Sequence, residues 1–484
     1  MSQPDIAAAL GEVLPPDCVL AREEERRPYE CDGLTAFREL PAVVALPRTE
    51  EELRRILLTC SALKVPLVAR GSGTGLSGGA TPHPRGVLLS CARMNRVLEV
   101  DPLNRIARLE PGVPNLKISE AAAVHGLYYA PDPSSQVACS IGGNVAENSG
   151  GVHCLKYGLT VHNVLGVRGY TVDGERIELG GGALDAPGLD LLALAIGSEG
   201  LLMIVTEVTV KLIPRPPCAQ LVVASFSTVH GAADAVAAII AAGIIPAALE
   251  MMDRKATAAV EPFVHAGYDL EAAAILLAES DGTPEEVGDQ VREIESVLRA
   301  CGASALRVAA SESERLRLWS GRKNAFPAAG RLSPDYYCMD GTIPRKHVGR
   351  VLDAIGEMET RYGLPCLNVF HAGDGNLHPV IMFDSNAPGA WERADRFGAE
   401  ILELCIEVGG TITGEHGVGV EKIGGMCVQF SDAERAAFAA VKESFDPHGL
   451  LNPGKLIPTL TRCAEYGKMH VRGGALPHAE LPRF

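Results

Sequence analysis

Apolar positions along the chain fall into two textures that meet near residue 215. Between Glu50 and Lys64, Leu53, Ile56, Leu57 and Leu63 recur at helical spacing and predict a helix with one buried face. The run VPLVA at 65–69 reads as a short strand, and it breaks at once into RGSGTGLSGGA. Apolar segments follow at 87–90 (VLLS) and 105–113 (RIARLEPGV), and LKISEAAAVHG at 116–126 is a second helix candidate. Glycine-rich blocks occupy 131–158 and open the stretch AIGSEGLLMIVTEVTVKLIP at 195–214. Beyond the prolines at 214–217 the pattern becomes a regular alternation of helices and strands.

Two helix starts are explicit in that second half. Thr283, Pro284 and Glu286 supply the N-cap, the first-turn proline and the capping-box acid, and Ser431 with Glu434 repeats the logic. Residues 1–40 are polar and charged and read as an extended N-terminal arm. The pattern sets residues 1–40 apart and places a domain boundary at the prolines of 214–217.

Composition then narrows the class. At about 150 residues per domain, 484 residues allow two to four domains. Lys and Arg number 44 against 60 Asp and Glu, a formal charge of −16 that repels phosphate backbones and argues against nucleic acid. With 47% apolar and 21% charged residues the chain is globular, not disordered. The longest uncharged apolar run, between Asp234 and Glu250, is broken by Gly243 and Pro246 and is too short to span a bilayer. The start MSQPDIAAALGEV lacks the basic and apolar regions of a secretory signal. Thirteen scattered cysteines without a C-x-x-C pair read as reduced thiols in the cytoplasm, and they supply no self-contained iron–sulfur or Cys-rich zinc motif.

Residues 73–78, GTGLSG, satisfy the G-x-G-x-x-G pattern of dinucleotide-binding βαβ units. That motif needs a helix directly afterwards, and Gly79-Ala80-Thr81-Pro82-His83-Pro84 cannot continue one. A plain glycine turn is the bland alternative. Against it, the glycines of 71–79 alternate with Ser72, Thr74 and Ser77 and expose backbone N–H groups and hydroxyls suited to a diphosphate. The second block, PDPSSQVACSIGGNVAENSGG, and the third, IGSEG, offer more of the same surface. Three such blocks look like walls of one elongated ligand site.

Taken in order, the GSGTGLSGGA loop, SIGGNVAENSGG, IGSEG with IVTEVTVKL, and the closing DPHGLLNPGKL (446–456) resemble the vanillyl-alcohol-oxidase-type FAD-binding family. Within it the chain is most similar to the FAD-linked glycolate oxidase subunits, with D-lactate and D-2-hydroxyglutarate dehydrogenases nearby. The resemblance implies an α+β fold: a FAD-binding domain of two subdomains (41–217) and a cap domain (218–445) with an antiparallel sheet and flanking helices. A closing segment (446–484) would return to the flavin. FAD would lie along Arg70, Gly71, Ser72, Gly73, Thr74, Gly75, Ser77, Gly78 and Gly79 of the first loop. Pro131, Asp132, Ser134, Ser135, Gly142, Gly143, Asn148, Gly150 and Gly151 would follow from the second block. Gly197, Ser198, Glu199, Gly200 and Ile204 come from the third, and Asn452 from the closing segment. Thr74 stands where some members carry a flavin-linking histidine, which implies noncovalent FAD.

A second constellation lies in CLNVFHAGDGNLHPVIMFD (366–384), which reads as strand, turn, strand. Asp374-Gly375-Asn376 supplies the turn, and a hairpin would bring His371 and His378 together across its mouth. Two surface histidines beside a loop are the bland alternative. In GGTITGEHGVG (409–419), Glu415 and His416 sit between glycines, which packing explains poorly. Two histidines and a carboxylate with open positions suit Zn, Fe or Mn. The resemblance implies His371, His378 and Glu415 as metal ligands and His416 as the base. It also implies Arg322, within WSGR (319–322), as the anchor of a substrate carboxylate. The same segment could be a solvated helix face.

The expected activity is flavin-dependent oxidation of a short 2-hydroxy acid, glycolate or D-lactate. The D-2-hydroxyglutarate branch carries further polar groups where Phe326, Cys338 and Val380 stand here. A D-2-hydroxyglutarate dehydrogenase, a flavin-free metal hydrolase and a noncatalytic FAD-binding subunit are the alternatives. The resemblance further implies an iron–sulfur partner subunit, a second flavin-type subunit, and a position at the inner face of the membrane through those partners. The tail at 459–484 offers a docking surface or a loose terminus.

Overall fold

A computed structural model of the chain describes residues 5–183 and 188–458. The tail expected as a docking surface lies outside them. Helices and mostly antiparallel sheets combine in an α+β architecture with three main sheets.

The first sheet sets strands Val43–Ala45, Val87–Ser90 and Leu67–Arg70 in parallel, with Val19–Leu20 antiparallel at one edge. Helix Glu50–Leu63 packs on it as the periodicity predicts, burying Leu53, Ile56, Leu57 and Cys60. Each such leucine contributes about 1.5–3 kcal/mol. Thr49 caps its first turn, and Lys64 ends it in the left-handed region at φ 54°.

The N-terminal region corrects the expectation of an extended arm. Ile6–Val13 is a helix capped by Asp5, and its Ile6 and Leu10, four residues apart on one face, are buried in the first sheet's core. The flanking polar residues hid that short stripe.

The second sheet is five-stranded and antiparallel, in the order Val97–Asp101, Ile106–Leu109, Ile204–Lys211, Val164–Tyr170, Arg176–Gly180. Helices Asn115–Ala122 and Ile141–Glu147 bury Ile118, Ile141 and Val145 against it.

The third sheet holds seven strands, in the order Ala305–Val308, Cys218–Phe226, Ala274–Gly282, Ala248–Asp253, Cys366–Phe370, Pro379–Phe383, Asp335–Cys338. All neighbours are antiparallel. Helices Val229–Ala241, Pro284–Ala300, Val348–Tyr362 and Ala390–Glu407 share the apolar core on one face. Arg254–Val264, Glu312–Lys323 and Ala325–Ala329 supply the other. Both capping boxes form: Thr283 exchanges bonds with Glu286, and Ser431 with Glu434.

After this sheet the chain returns to the first one. The Leu67 N–H donates to the Leu450 carbonyl, and the Asn452 N–H to the Leu67 carbonyl, each at 2.8 Å. Among the described residues, eleven cysteines are free thiols. No helix among the described residues is long and apolar enough to cross a membrane.

Candidate active site

The three glycine-rich blocks converge on one elongated cavity of about 410 Å³. Arg70, Gly71, Ser72, Gly73, Thr74, Gly75 and Gly79 line it from the first block, and Ser134, Ser135, Gly142 and Gly143 from the second. Ser198, Glu199, Gly200 and Ile204 complete the wall from the third. His378, Glu415 and His416 line the same cavity, beside Lys323, Phe326 and Tyr336.

The first block leaves strand Leu67–Arg70 as bends and turns, not as a helix, so its glycines serve close approach. A Cβ on Gly71 would stand 2.2 Å from Ser140 Oγ, so a side chain there would displace the hydroxyl that caps the next helix. Ser140 caps helix Ile141–Glu147, which the glycine-rich sequence did not advertise. Arg70 Nη1 donates to the Cys31 carbonyl at 2.6 Å, and the guanidinium lies over the Tyr29 ring. The N-terminal region thereby closes one side of the cavity, adding Asp32 to its wall.

The other expected cofactor residues stand behind the wall and frame it. The Ser77 carbonyl accepts from the N–H groups of Val420 and Glu421, and Gly78 abuts Val420. Asn148, at φ 54°, ends its helix and accepts from the Val161 N–H at 2.9 Å. The Pro131 carbonyl accepts from Asn115 Nδ2, while Asp132 Oδ2 lies 2.9 Å from His153 Nδ1. Gly150 and Gly151 lie against Glu415 and Asp132, and the Gly197 N–H donates to the Val145 carbonyl. Asn452 Nδ2 donates to the carbonyls of Gly79 at 3.1 Å and Glu199 at 2.6 Å, tying the first block to the third.

The predicted hairpin forms, and the rings of His371 and His378 meet edge to face with centroids 5.0 Å apart. The 409–419 loop brings Glu415 Oε1 to 3.2 Å from His371 Nε2 and 3.3 Å from His378 Nε2. The three ligand atoms lie within 4.8 Å of one another. His378 Nε2 is buried, and neither Glu415 Oε1 nor Asp340 Oδ1, 3.5 Å away, meets it in hydrogen-bond geometry. Charge also favours a cation at this point. Burial would lower His371, but the carboxylates of Glu250 and Glu415 outweigh it and hold the ring well above its ordinary value. Two imidazoles and a carboxylate fit a divalent transition metal.

Asp340, His378 and His416 form a second group of ligand-bearing side chains. Asp340 is already saturated, however. It accepts from the N–H groups of Gly414 and Glu415 at 3.1 Å and of His416 at 2.9 Å. Thr413 Oγ1 at 2.7 Å and Lys422 Nζ at 3.0 Å complete its shell. Asp340 therefore anchors the loop. His416 stacks on His378 at 5.1 Å. Burial, aided by the charges of His378 and Lys422, pushes His416 down to about 4 against the pull of Asp340. The ring is thus neutral near pH 7.

Arg322 is placed differently from an arginine presented to the cavity. It is 2% exposed and absent from the wall, and its Nε donates to Glu250 Oε2 at 2.6 Å. Glu250 Oε1 in turn lies 2.7 Å from His371 Nδ1, while Arg322 Nη2 is buried without a partner. Glu250, Asp340 and Lys422 escaped the sequence reading. For Glu250 the one signal was a charged residue inside an apolar run, ALEMMD.

A glycine-walled cavity ending at a His–His–carboxylate cluster is the arrangement of a flavin-dependent oxidoreductase. Residues 41–180 match the FAD binding domain, and residues 215–456 match the FAD linked oxidases, C-terminal domain. The chain belongs to the FAD-linked oxidases. It is similar to glycolate oxidase subunit GlcD of Escherichia coli (strain K12), 58% identical over 99% of this chain and 96% of that protein. It is also similar to D-lactate dehydrogenase of Archaeoglobus fulgidus, 32% identical over 86% of this chain and 92% of that one. The fold resembles p-cresol methylhydroxylase with a TM-score of 0.79 at 17% identity, covering 93% and 96% of the two chains. A flavin-free hydrolase is set aside by this membership.

Proposed function

We propose that the chain oxidises a short 2-hydroxy acid, glycolate or D-lactate, to the 2-oxo acid. The observation that carries this reading is one cavity shared by the cofactor blocks and by His378, Glu415 and His416. A noncatalytic FAD-binding subunit would leave that meeting without purpose. The activities in the relatives' names, glycolate oxidase and D-lactate dehydrogenase, support the substrate class.

FAD held along the glycine blocks would supply a hydride acceptor for the α-carbon, and a divalent metal (Zn, Fe or Mn) would supply a Lewis acid for the α-hydroxyl. His371, His378 and Glu415 are the residues we assign to that metal. His416 takes the hydroxyl proton at the ring nitrogen that does not face Asp340. Arg322, buried off the cavity wall, is assigned the positioning of Glu250 rather than a direct contact with the substrate carboxylate. Glu250 couples that arginine to His371 and fixes the imidazole's orientation.

Electrons leave through an iron–sulfur subunit, with a second flavin-type subunit in the assembly. The relative named as a subunit supports a complex, and neither metal-competent group among the described residues contains a cysteine. We assign the chain to the cytoplasm, at the inner face of the membrane through those partners.

Anaerobic mixing of the FAD-loaded chain with glycolate and with each lactate enantiomer tests the reading. Bleaching of the flavin absorbance is expected. A fully loaded chain that no 2-hydroxy acid bleaches would refute it.

A further inference from the structure

Glu147 ends helix Ile141–Glu147 and lines the cofactor cavity where the first glycine block meets the His416 loop. Its carboxyl is wedged between the two. A Cβ on Gly79 would stand 2.6 Å from Oε1, and one on Gly417 1.9 Å from Oε2. Oε2 is buried and has no hydrogen-bond partner. The role of Glu147 is not accounted for by the chemistry assigned above.

The surroundings make a lone negative charge there costly. Glu199 Oε1 faces the same space, 3.0 Å from that Gly417 Cβ position, and its two oxygens already accept from the Val418 and Gly419 N–H groups at 2.7 Å each. Asp32 is held by the N–H groups of Leu34 and Ala80. The neighbouring cations are engaged elsewhere. Lys422 Nζ binds Asp340 and the Gly417 carbonyl, and Lys455 Nζ binds the Thr81 carbonyl and Asn452 Oδ1. Burial, with Glu199 and Asp32 adding to it, lifts the Glu147 carboxyl well above the usual range despite Lys422 and Lys455.

We propose that Glu147 meets the bound flavin as a neutral carboxylic acid and donates a hydrogen bond to an acceptor on the ring. The inference rests on the FAD reading of the cavity. It stands where the first glycine block meets the loop that carries His416, and the ring is the part of the cofactor that must face His416. A fixed donor there stabilises the electron-rich reduced ring and raises its reduction potential.

The test compares Glu147→Gln and Glu147→Ala with the native holoenzyme by FAD content and by midpoint potential, from dye equilibration at several pH values. Glutamine keeps a neutral donor, so E147Q is expected to match the native potential in acid to neutral solution, and E147A to fall below both. An E147Q potential well above native would show that the native carboxyl is charged, and would overturn the proposal. So would an E147A potential equal to native, which would mean no contact with the ring. If E147A does not fold, Glu147→Met, which fills the same space without a donor, takes its place and is expected to fall below native in the same way. Failure of the native chain to take up FAD would overturn the cavity reading itself, a result the potentials cannot mimic.

Discussion

Lys422 Nζ lies 3.0 Å from Asp340 Oδ2, and neither side chain is exposed to solvent. Through Asp340 the pair holds three consecutive backbone N–H groups, those of Gly414, Glu415 and His416. Two candidate catalytic side chains thus sit on a turn whose backbone is pinned to one buried carboxylate. Removing either partner of a buried pair strands the other charge, at a cost of about 3–5 kcal/mol. K422M is expected to lose that much stability in urea unfolding of the holoprotein. The double variant D340N/K422M should lose less than the sum of the single variants. Additive losses would show that the two side chains act separately.

The Glu250 carboxylate bridges Arg322 and His371, so it orients both without touching the cavity. E250Q is expected to weaken metal binding by about 10–100-fold, as loss of a partner behind a metal ligand does. H378A removes a ligand outright. It should abolish flavin reduction while FAD stays bound, because the glycine blocks lie on other elements. Metal analysis and flavin absorbance on the same samples check both. Full turnover by a metal-free sample would remove the metal's role and leave His416 as the base.

Local chemistry was legible in the sequence, and long-range pairing was not. The hairpin at 366–383, both capping boxes and the helix at 50–63 follow from residues a few positions apart. The convergence of three glycine blocks could be inferred because each alone had no other purpose. Glu250 and Asp340 could not be found that way. Glu250 reaches His371 across 121 residues, through pairing of strands Ala248–Asp253 and Cys366–Phe370. Asp340 reaches Lys422 across 82. No periodicity announces such pairs. The helix Ile141–Glu147 was hidden for another reason: its glycines lower intrinsic helix propensity, and the Ser140 cap with close packing offsets them.

His153 gives a pH dependence with a definite sign. Its Nδ1 lies 2.9 Å from Asp132 Oδ2 and its Nε2 3.6 Å from Glu279 Oε1. It therefore joins the second glycine block to the seven-stranded sheet. Burial would lower its pKa, but the two carboxylates raise it to about 10. An unfolded histidine titrates near about 6.5. Because the folded value is the higher, the stabilisation is complete below the unfolded pKa and is lost as pH rises through the folded one. H153Q should lower the melting temperature most in acid to neutral solution, with the gap to native closing by about pH 10. A gap that widens with pH would mean the histidine is neutral in the fold.

Substrate size is set by what the cavity offers beyond the first carboxylate. Of the three positions where the D-2-hydroxyglutarate branch carries further polar groups, only Phe326 lines the cavity. Cys338 and Val380 are direct cross-strand partners on Asp335–Cys338 and Pro379–Phe383, both buried in an apolar cluster. None of the three can pair with a second carboxylate, and burying that charge unpaired is costly. Lys323 is exposed and on the wall, the cation a longer acid would have to reach. Flavin reduction should therefore favour glycolate or D-lactate over D-2-hydroxyglutarate. Between those two the difference is one methyl group, about 1–3 kcal/mol in a pocket. F326A should narrow the preference by opening space, and K323A should leave glycolate oxidation unchanged. Comparing kcat/KM for glycolate, both lactate enantiomers and D-2-hydroxyglutarate measures this directly. A preference for the dicarboxylate that disappears in K323A would transfer specificity to Lys323 and overturn the short-acid assignment.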